Sequence, residues 1–263
     1  MKNVTTKKTK MPKCSICIAT KNKAVPLRRT LRSIVDQRPG FDYEIIVADD
    51  GSEDNTKGVC LEFEKETAGV SGPDVGFKYI HLENPRYRNP SVARNATYRE
   101  AKGEIVIAQS DDVIHHSPDA IKTLANELQH GEFVIATVVN WDMDANSPAK
   151  FGRLTEYTGL SNPRPLFFLG ALWRSDLYAV GGNDEEFVEP CYDDDWFADC
   201  LIHGLKLKPR FLTNVVGHHQ HHSRPSNLAA MAKISKRLYR RKVADAKAGK
   251  IPWCASGGPW PTN

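Results

Sequence analysis

From residue 13 onward the chain alternates short apolar runs with stretches in which apolar residues recur every three or four positions. Residues 13–19, 43–48, 77–82, 104–109 and 133–139 are runs of strand length, several of them rich in Ile and Val, and are predicted strands. Residues 26–37 carry Leu27, Leu31, Ile34 and Val35 at helical spacing. Residues 54–67, capped near Ser52 or Asp54, are a second predicted helix, followed by 91–101 and 118–129. A Gly/Pro loop at 69–76 precedes the third strand. Strands alternating with helices of this size imply an α/β fold, a mainly parallel central sheet flanked by helices on both faces. The order breaks after residue 140, and 142–165 reads as loop with short elements at most. Neither a repeat nor a clear linker interrupts the pattern. The expected organisation is a disordered lead-in at 1–12, one domain at 13–225, and a basic helical then Pro/Gly-rich arm at 226–263.

Composition narrows the class. With 263 residues, 40% of them hydrophobic, and a mean hydropathy of −0.47, the chain can bury a full core and reads as soluble. Its apolar runs fall short of the roughly 20 residues that span a bilayer. Residues 1–10 are rich in Lys and Thr and lack the apolar centre of a signal peptide. A net charge of +4 does not by itself announce a nucleic-acid partner. The charge is uneven, however: within 233–250, Lys233, Lys236, Arg237, Arg240, Arg241, Lys242, Lys247 and Lys250 stand against one acid, Asp245. A solvated helix face is expected there, with contact to an anionic acceptor or membrane surface as the alternative. Cys14 and Cys17 have C-x-x-C spacing but fall on a predicted strand, where residues three apart point to opposite faces. The six cysteines therefore read as reduced and mostly buried, in a cytoplasmic protein.

Two predicted strands end in acids. The run Glu44-Ile45-Ile46-Val47-Ala48 empties into Asp49-Asp50-Gly51-Ser52, and residues 104–109 empty into Ser110-Asp111-Asp112. Open α/β sheets bind ligands beyond the carboxyl ends of their strands. Acids delivered there twice suggest a cation-assisted site for a phosphorylated ligand, since hard divalent cations take carboxylate oxygens. A further cluster, His218, His219, His221 and His222, follows the apolar Val215-Val216, and neutral imidazole is a common ligand of transition metals. On strand alternation His218 shares a face with Gln220 and His222, so the four cannot all reach one ion.

Several pieces occur in order: Ser15-Ile16-Cys17-Ile18-Ala19-Thr20, Leu31-Arg32-Ser33-Ile34-Val35-Asp36-Gln37, residues 44–56, Ser91-Val92-Ala93-Arg94-Asn95, residues 103–112, and Tyr192-Asp193-Asp194-Asp195-Trp196. With these, residues 13–222 resemble a family-2 glycosyltransferase of the GT-A fold, a nucleotide-sugar transferase. The resemblance implies a metal-dependent, inverting transfer from a nucleotide-sugar to an acceptor hydroxyl, with Mn²⁺ or Mg²⁺ on the donor diphosphate. Asp112 is then the expected metal ligand, with His218 completing the shell, and Asp111 faces the sugar or ribose beside Ser110. Thr20 and Asp50 hold the base and ribose. A carboxylate that accepts the uracil N3–H favours a UDP-sugar, because another base leaves it unpaired. Asp49 belongs to the same strand end, as nucleotide contact or as a structural partner of backbone amides. Arg94 lies near the diphosphate or holds the acidic cluster, the alternative being a salt bridge to Asp49 or Asp111. Lys23 and Arg88 are weaker phosphate candidates.

For the base on the face opposite the leaving group, alignment on Asp195-Trp196 gives Asp193. Tyr192 stands where the family commonly has Glu, so Asp194 is the rival. Trp173 and Trp196 offer flat faces to a sugar, or are core aromatics. The tail at 251–261 is expected to be irregular and either folds over the site or is disordered. A retaining GT-A transferase and a catalytically idle nucleotide-sugar binder are the alternative functions. A nucleotidyltransferase would want a Gly-rich loop after the first strand, which Thr20-Lys21-Asn22-Lys23 is not. The acceptor is left open among glycan, lipid-linked sugar, protein and modified nucleic acid.

Overall fold

The computed structural model describes residues 11–68, 75–83, 89–150, 155–222 and 226–262. Most of the expected lead-in, most of the 69–76 loop, and Arg88 lie outside the described residues. The first half of the chain runs β1 (Cys14–Thr20), α1 (Ala24–Val35), β2 (Tyr43–Asp49), α2 (Thr56–Ala68), β3 (Val75–His81), α3 (Ser91–Glu100), β4 (Ile105–Ser110), β5 (Val113–His115) and α4 (Ala120–Glu127). The second half runs β6 (Glu132–Asp142), β7 (Ser147–Pro148), β8 (Glu156–Thr158), β9 (Leu169–Trp173), α5 (Arg174–Ala179), α6 (Asp193–Asp199), a π-helical turn at Cys200–Gly204, β10 (Lys208–Gln220) and α7 (Leu228–Lys247).

The strands join in one mixed sheet of order β3-β2-β1-β4-β9-β6-β10-β5, with β7 and β8 paired to β6. β3, β2, β1 and β4 run parallel, and so do β6 and β10. The sheet is mixed rather than mainly parallel throughout: β9 lies antiparallel between β4 and β6, β5 antiparallel to β10, and β7 and β8 antiparallel to β6. Gly170 permits the insertion of β9, because a Cβ there would sit 2.8 Å from the Val134 carbonyl oxygen.

Alternation along the strands builds two cores. Ile16, Ile18, Ile45, Val47, Ile105 and Ile107 pack on the face covered by α1, α2 and α4, with Leu31, Phe63 and Leu124. Cys17, Ile46, Val106 and Ala108 pack on the opposite face, with Tyr98, Leu177, Trp196 and Phe197 of α3, α5 and α6. Cys14 and Cys17 fall on opposite faces, as period-two geometry requires. The arm is packed into the second core through Leu238, Val243 and Ala246. Its buried Lys242 ammonium bridges the Asp184 and Glu186 carboxylates at 2.9 and 2.7 Å. The tail runs back over this side, with Trp253 stacked on Trp196 and the Trp260 N–H donating to the Tyr178 carbonyl. It neither covers the strand ends nor wanders free.

A buried polar clamp ties β1 and β2 to the turn before β4. The Ser15 hydroxyl donates to Glu44 Oε1 at 2.6 Å and accepts from the Gly103 N–H at 2.8 Å. The Lys102 N–H donates to the same Glu44 oxygen at 2.7 Å. Removing the Ser15 hydroxyl takes away the acceptor of the Gly103 N–H at a buried site. Ser15→Ala is expected to lower stability by about 1–3 kcal/mol, the cost of an unmade buried hydrogen bond. Urea denaturation should show a lower midpoint with an unchanged slope; an unaltered midpoint would mean the clamp contributes nothing.

Candidate active site

Because β1, β2 and β4 run parallel, their carboxyl ends meet at one edge of the sheet. The register sets Thr20 opposite Asp49 and Ala19 opposite Ser110. A cleft of about 550 Å³ opens there, lined among others by Thr20, Asp50, Ser110, Asp111, Asp112 and Arg94, and by the first turn of α6.

The deepest group forms around Asp112, whose carboxylate is buried. Its Oδ2 lies 3.1 Å from His222 Nε2 and 3.2 Å from Lys23 Nζ, and its Oδ1 lies 3.5 Å from His219 Nε2. Burial acts to raise the Asp112 pKa, but His219, His222 and Lys23 outweigh it and hold the carboxyl well below the usual carboxylate range. Asp111 goes the other way: burial and then the neighbouring Asp112 charge push it up to about 7, with the Thr20 hydroxyl donating to its Oδ2 at 2.8 Å. Gln109 fixes this turn from inside, donating to the Val113 carbonyl and accepting from His115.

One ligand atom each from Asp112, His219 and His222 falls within 4.8 Å of the others, a group able to hold a metal ion. One carboxylate and two imidazoles suit Mn²⁺ better than Mg²⁺, which prefers oxygen alone. His218, the expected ligand, is not in this group. It stacks on His116 and Trp141 on the other side of β10. The end of β10, downstream of a bulge, separates His222 from His218. Thr213, Asn214 and Val215 bulge out between Leu212 and Val216, which are paired to the adjacent residues Ala136 and Thr137. The strand then ends at Gln220, so His222 is released from the alternation that groups it with His218.

The opposite wall is the start of α6. Cys191 and Tyr192 both have left-handed backbone, φ 77° and 65°, and this turn aims the first helical residues at the cleft. Arg94 of α3 donates to Asp193 Oδ2 at 3.2 Å and to Asp194 Oδ1 at 2.5 Å. Neither Asp49 nor Asp111 is its partner. Asp195 is held separately by Arg164, through bonds of 2.8 and 2.7 Å. Burial, and then the Asp194 charge, raise the Asp193 carboxyl to about 6 against the opposing pull of Arg94 and Asn89.

Other expected positions fall elsewhere. Asp49 accepts from the Ser52 N–H and the Tyr79 hydroxyl, both at 2.8 Å, and is a structural brace behind Asp50. Trp173 ends β9 opposite Ile105, at the far end of β4, and stacks on His130. The reversed direction of β9 carries it away from the cleft. Trp196 is a core residue, 1% exposed. Lys23 faces Asp112, where it would have to move for a cation to enter. Tyr157, Asn162 and Arg164 also line the cleft, and no local signal marks them, since they come from a stretch without hydrophobic period.

Comparison with known proteins agrees with this architecture. Residues 15–180 match the family model "Glycosyl transferase family 2". The chain is 38% identical over 268 residues to an Escherichia coli chondroitin synthase, covering 87% of this chain and 38% of that protein. It is 29% identical over 170 residues to the poly(ribitol-phosphate) beta-N-acetylglucosaminyltransferase TarP of Staphylococcus aureus, covering 64% of this chain and 44% of that one. The chain thus spans less than half the length of these curated relatives. Among solved structures, Staphylococcus aureus TarS 1-349 in complex with UDP-GlcNAc superposes with a TM-score of 0.61 at 18% identity, over 90% of this chain and 69% of that one. The mannosyltransferase PcManGT from Pyrobaculum calidifontis, in complex with GDP-Man and Mn²⁺, gives 0.60 at 17%, over 92% and 66%. The fold is that of the GT-A glycosyltransferases. The chain belongs to glycosyl transferase family 2.

The placement of the histidines is open to direct measurement. His219→Ala and Asp112→Asn are each expected to weaken Mn²⁺ binding, followed by electron paramagnetic resonance of the free ion, by about tenfold or more. His218→Ala should leave it unchanged. The reverse pattern would return the metal to the other face of β10.

Proposed function

We propose that this chain is a metal-dependent inverting glycosyltransferase that moves a sugar from a UDP-sugar to an acceptor hydroxyl. The observation that carries the reading is a single cleft with a metal-competent Asp112–His219–His222 group on one wall and a buried, ionisable Asp193 on the other. A divalent cation held by Asp112, His219 and His222 would supply positive charge to the diphosphate as it leaves. Thr20 and Asp50, at the ends of β1 and β2, are placed to take the base and ribose, and an Asp50 carboxylate that accepts the uracil N3–H gives the preference for UDP. Asp193 accepts the proton of the acceptor hydroxyl while its oxygen bonds to the anomeric carbon and the bond from that carbon to the diphosphate breaks. Attack from the wall opposite the diphosphate inverts the anomeric centre. Arg94 keeps Asp193 and Asp194 in place and balances their charge until the proton moves. The buried, unbridged thiols of Cys14, Cys17, Cys60, Cys200 and Cys254 fit a reducing compartment, and we assign the chain to the cytoplasm.

Asp193→Asn should keep donor affinity while kcat falls about 10²- to 10⁴-fold, the usual share of a general base. A base works only when ionised, so a carboxyl raised to about 6 is competent above that pH and is lost as pH falls through it. The wild-type kcat/KM should therefore decline about tenfold per unit below pH 6. Asp111 titrates nearby, at about 7, so the limb belongs to Asp193 only if it is absent from the residual activity of Asp193→Asn. If Asp194→Asn is the inactive variant instead, the base is one residue further on. A product that keeps the donor's anomeric configuration would end the inverting reading.

The choice of nucleotide has its own readout. A ligand that binds only the folded chain adds RT ln(1 + [L]/Kd), about 2.7 kcal/mol at a hundredfold excess over Kd. With Mn²⁺ present, UDP should raise the thermal midpoint well above GDP or CMP at equal concentration. Equal shifts, or a larger one from GDP, would contradict the uracil assignment.

A further inference from the structure

Lys23, His219 and His222 all pair with the buried Asp112 carboxylate, but they are not equivalent. A neutral imidazole offers a lone pair to a metal, whereas an ammonium has donors and no acceptor. Lys23 Nζ lies 3.2 Å from Asp112 Oδ2, the same oxygen that His222 Nε2 approaches at 3.1 Å. A divalent cation held by Asp112, His219 and His222 would meet that ammonium at close range, in a buried wall where water screens little. The two positive groups exclude one another, and Asp112 serves one or the other.

The side chain of Lys23 can move although its main chain cannot. Lys23 is the N-cap residue of α1, its N–H donates to the Thr56 hydroxyl at 3.3 Å, and its carbonyl accepts from the Leu27 N–H at 2.8 Å. The long, flexible stem above that anchor is 23% exposed, against 9% for Asp112, so the ammonium can swing into the cleft while the turn stays fixed. Its reach decides where it goes. Lys23 lies on the turn just after Thr20, beside Lys21 and Asp50 in the cleft lining, and its ammonium extends to Asp112. It therefore spans the gap between the strand ends proposed to take the nucleoside and the group proposed to take the cation. A diphosphate has to bridge that same gap.

We infer that Lys23 competes with the divalent cation for Asp112, and that the diphosphate of a nucleotide resolves the competition by taking the displaced ammonium. A metal arriving alone must push the ammonium from its carboxylate into water. A metal arriving with a diphosphate gives the ammonium a new anion. Each ligand then binds more tightly in the presence of the other, and by linkage the factor is the same in both directions. Lys23 is in this sense a positioning residue that keeps the cation and the nucleotide together. The inference deepens the transferase reading and rests on its assignment of the metal to Asp112, His219 and His222.

The test is Mn²⁺ binding to the whole chain, followed by electron paramagnetic resonance of the free ion, with and without UDP. Mn²⁺ taken up by UDP itself is measured in a protein-free control. Lys23→Met keeps the apolar stem and removes the charge, with Lys23→Gln as a second neutral variant; Lys23→Arg keeps the charge. Without nucleotide, the neutral variants should bind Mn²⁺ at least about tenfold more tightly than the wild type, and Lys23→Arg no more tightly. UDP should strengthen Mn²⁺ binding by the wild type by a factor at least about tenfold larger than in Lys23→Met. Uridine, which has no diphosphate, should not reproduce the effect. A lysine that only braced the turn predicts the opposite sign, so unchanged or weaker Mn²⁺ binding by the neutral variants overturns the inference. So does a UDP effect that is equal with and without the Lys23 charge, or one that uridine matches. Absence of Mn²⁺ binding in wild type and variants alike, even with UDP, would defeat the metal assignment and this inference with it. A chain that shows the coupling but transfers no sugar would instead defeat the transferase reading and leave the competition standing.

Discussion

Six carboxylates line one cleft, four of them in two adjacent pairs, and keeping the charge of those pairs tolerable out of water constrains everything built around it. Asp111, Asp112, Asp193 and Asp194 come from a strand end and a helix start some 80 residues apart in sequence. Charges buried without partners cost several kcal/mol each. The fold answers with groups from other elements: the Lys23 ammonium from the end of the β1–α1 turn, the imidazoles of His219 on β10 and of His222 just beyond it, and the Arg94 guanidinium from α3. Asp111 has no cation of its own within bonding distance among the described residues and takes the Thr20 hydroxyl instead. Its raised pKa is the outcome. The two walls are thus electrostatically separate, one closed by imidazoles and an ammonium, the other by a guanidinium.

Local pattern made the sheet half of this arrangement legible. Short apolar runs rich in Ile and Val mark β1, β2 and β4, and helices between them force parallel strands, so Thr20, Asp50 and Ser110–Asp112 had to reach one edge. Partners across the cleft were not legible. Position along α3 could be read for Arg94, but its pairing with residues a hundred positions later depends on how α6 enters from a left-handed turn at Cys191 and Tyr192. Trp173, expected to face a sugar or the core, is carried to the far end of β4 by β9, a strand the apolar pattern did not announce and one that runs antiparallel to β4.

His218 failed for a subtler reason. Alternation holds only within a strand, and β10 stops two residues before His222. A count of parity from Val216 groups His218 with His222, whereas the fold groups His219 with His222 against Asp112. His222 lies past the end of β10 at Gln220, where parity counted along the strand no longer decides the face.

The Gln220 N–H donates to the Asp112 carbonyl, so the strand that delivers the histidines is stitched directly to the turn that delivers the acid. That stitch joins positions more than a hundred residues apart, and it gives the cleft an order of birth. As a nascent chain emerges from the ribosome, β1, β2 and β4 can assemble their shared edge once residue 110 is available. Asp112 must then wait in an acid-rich rim, beside Asp111 and without its imidazoles, until residue 222 has been made. Repulsion between those two carboxylates favours a protonated or open turn during the interval. The arrival of β10 is therefore both the last structural step of this edge and the event that makes it competent to hold a cation.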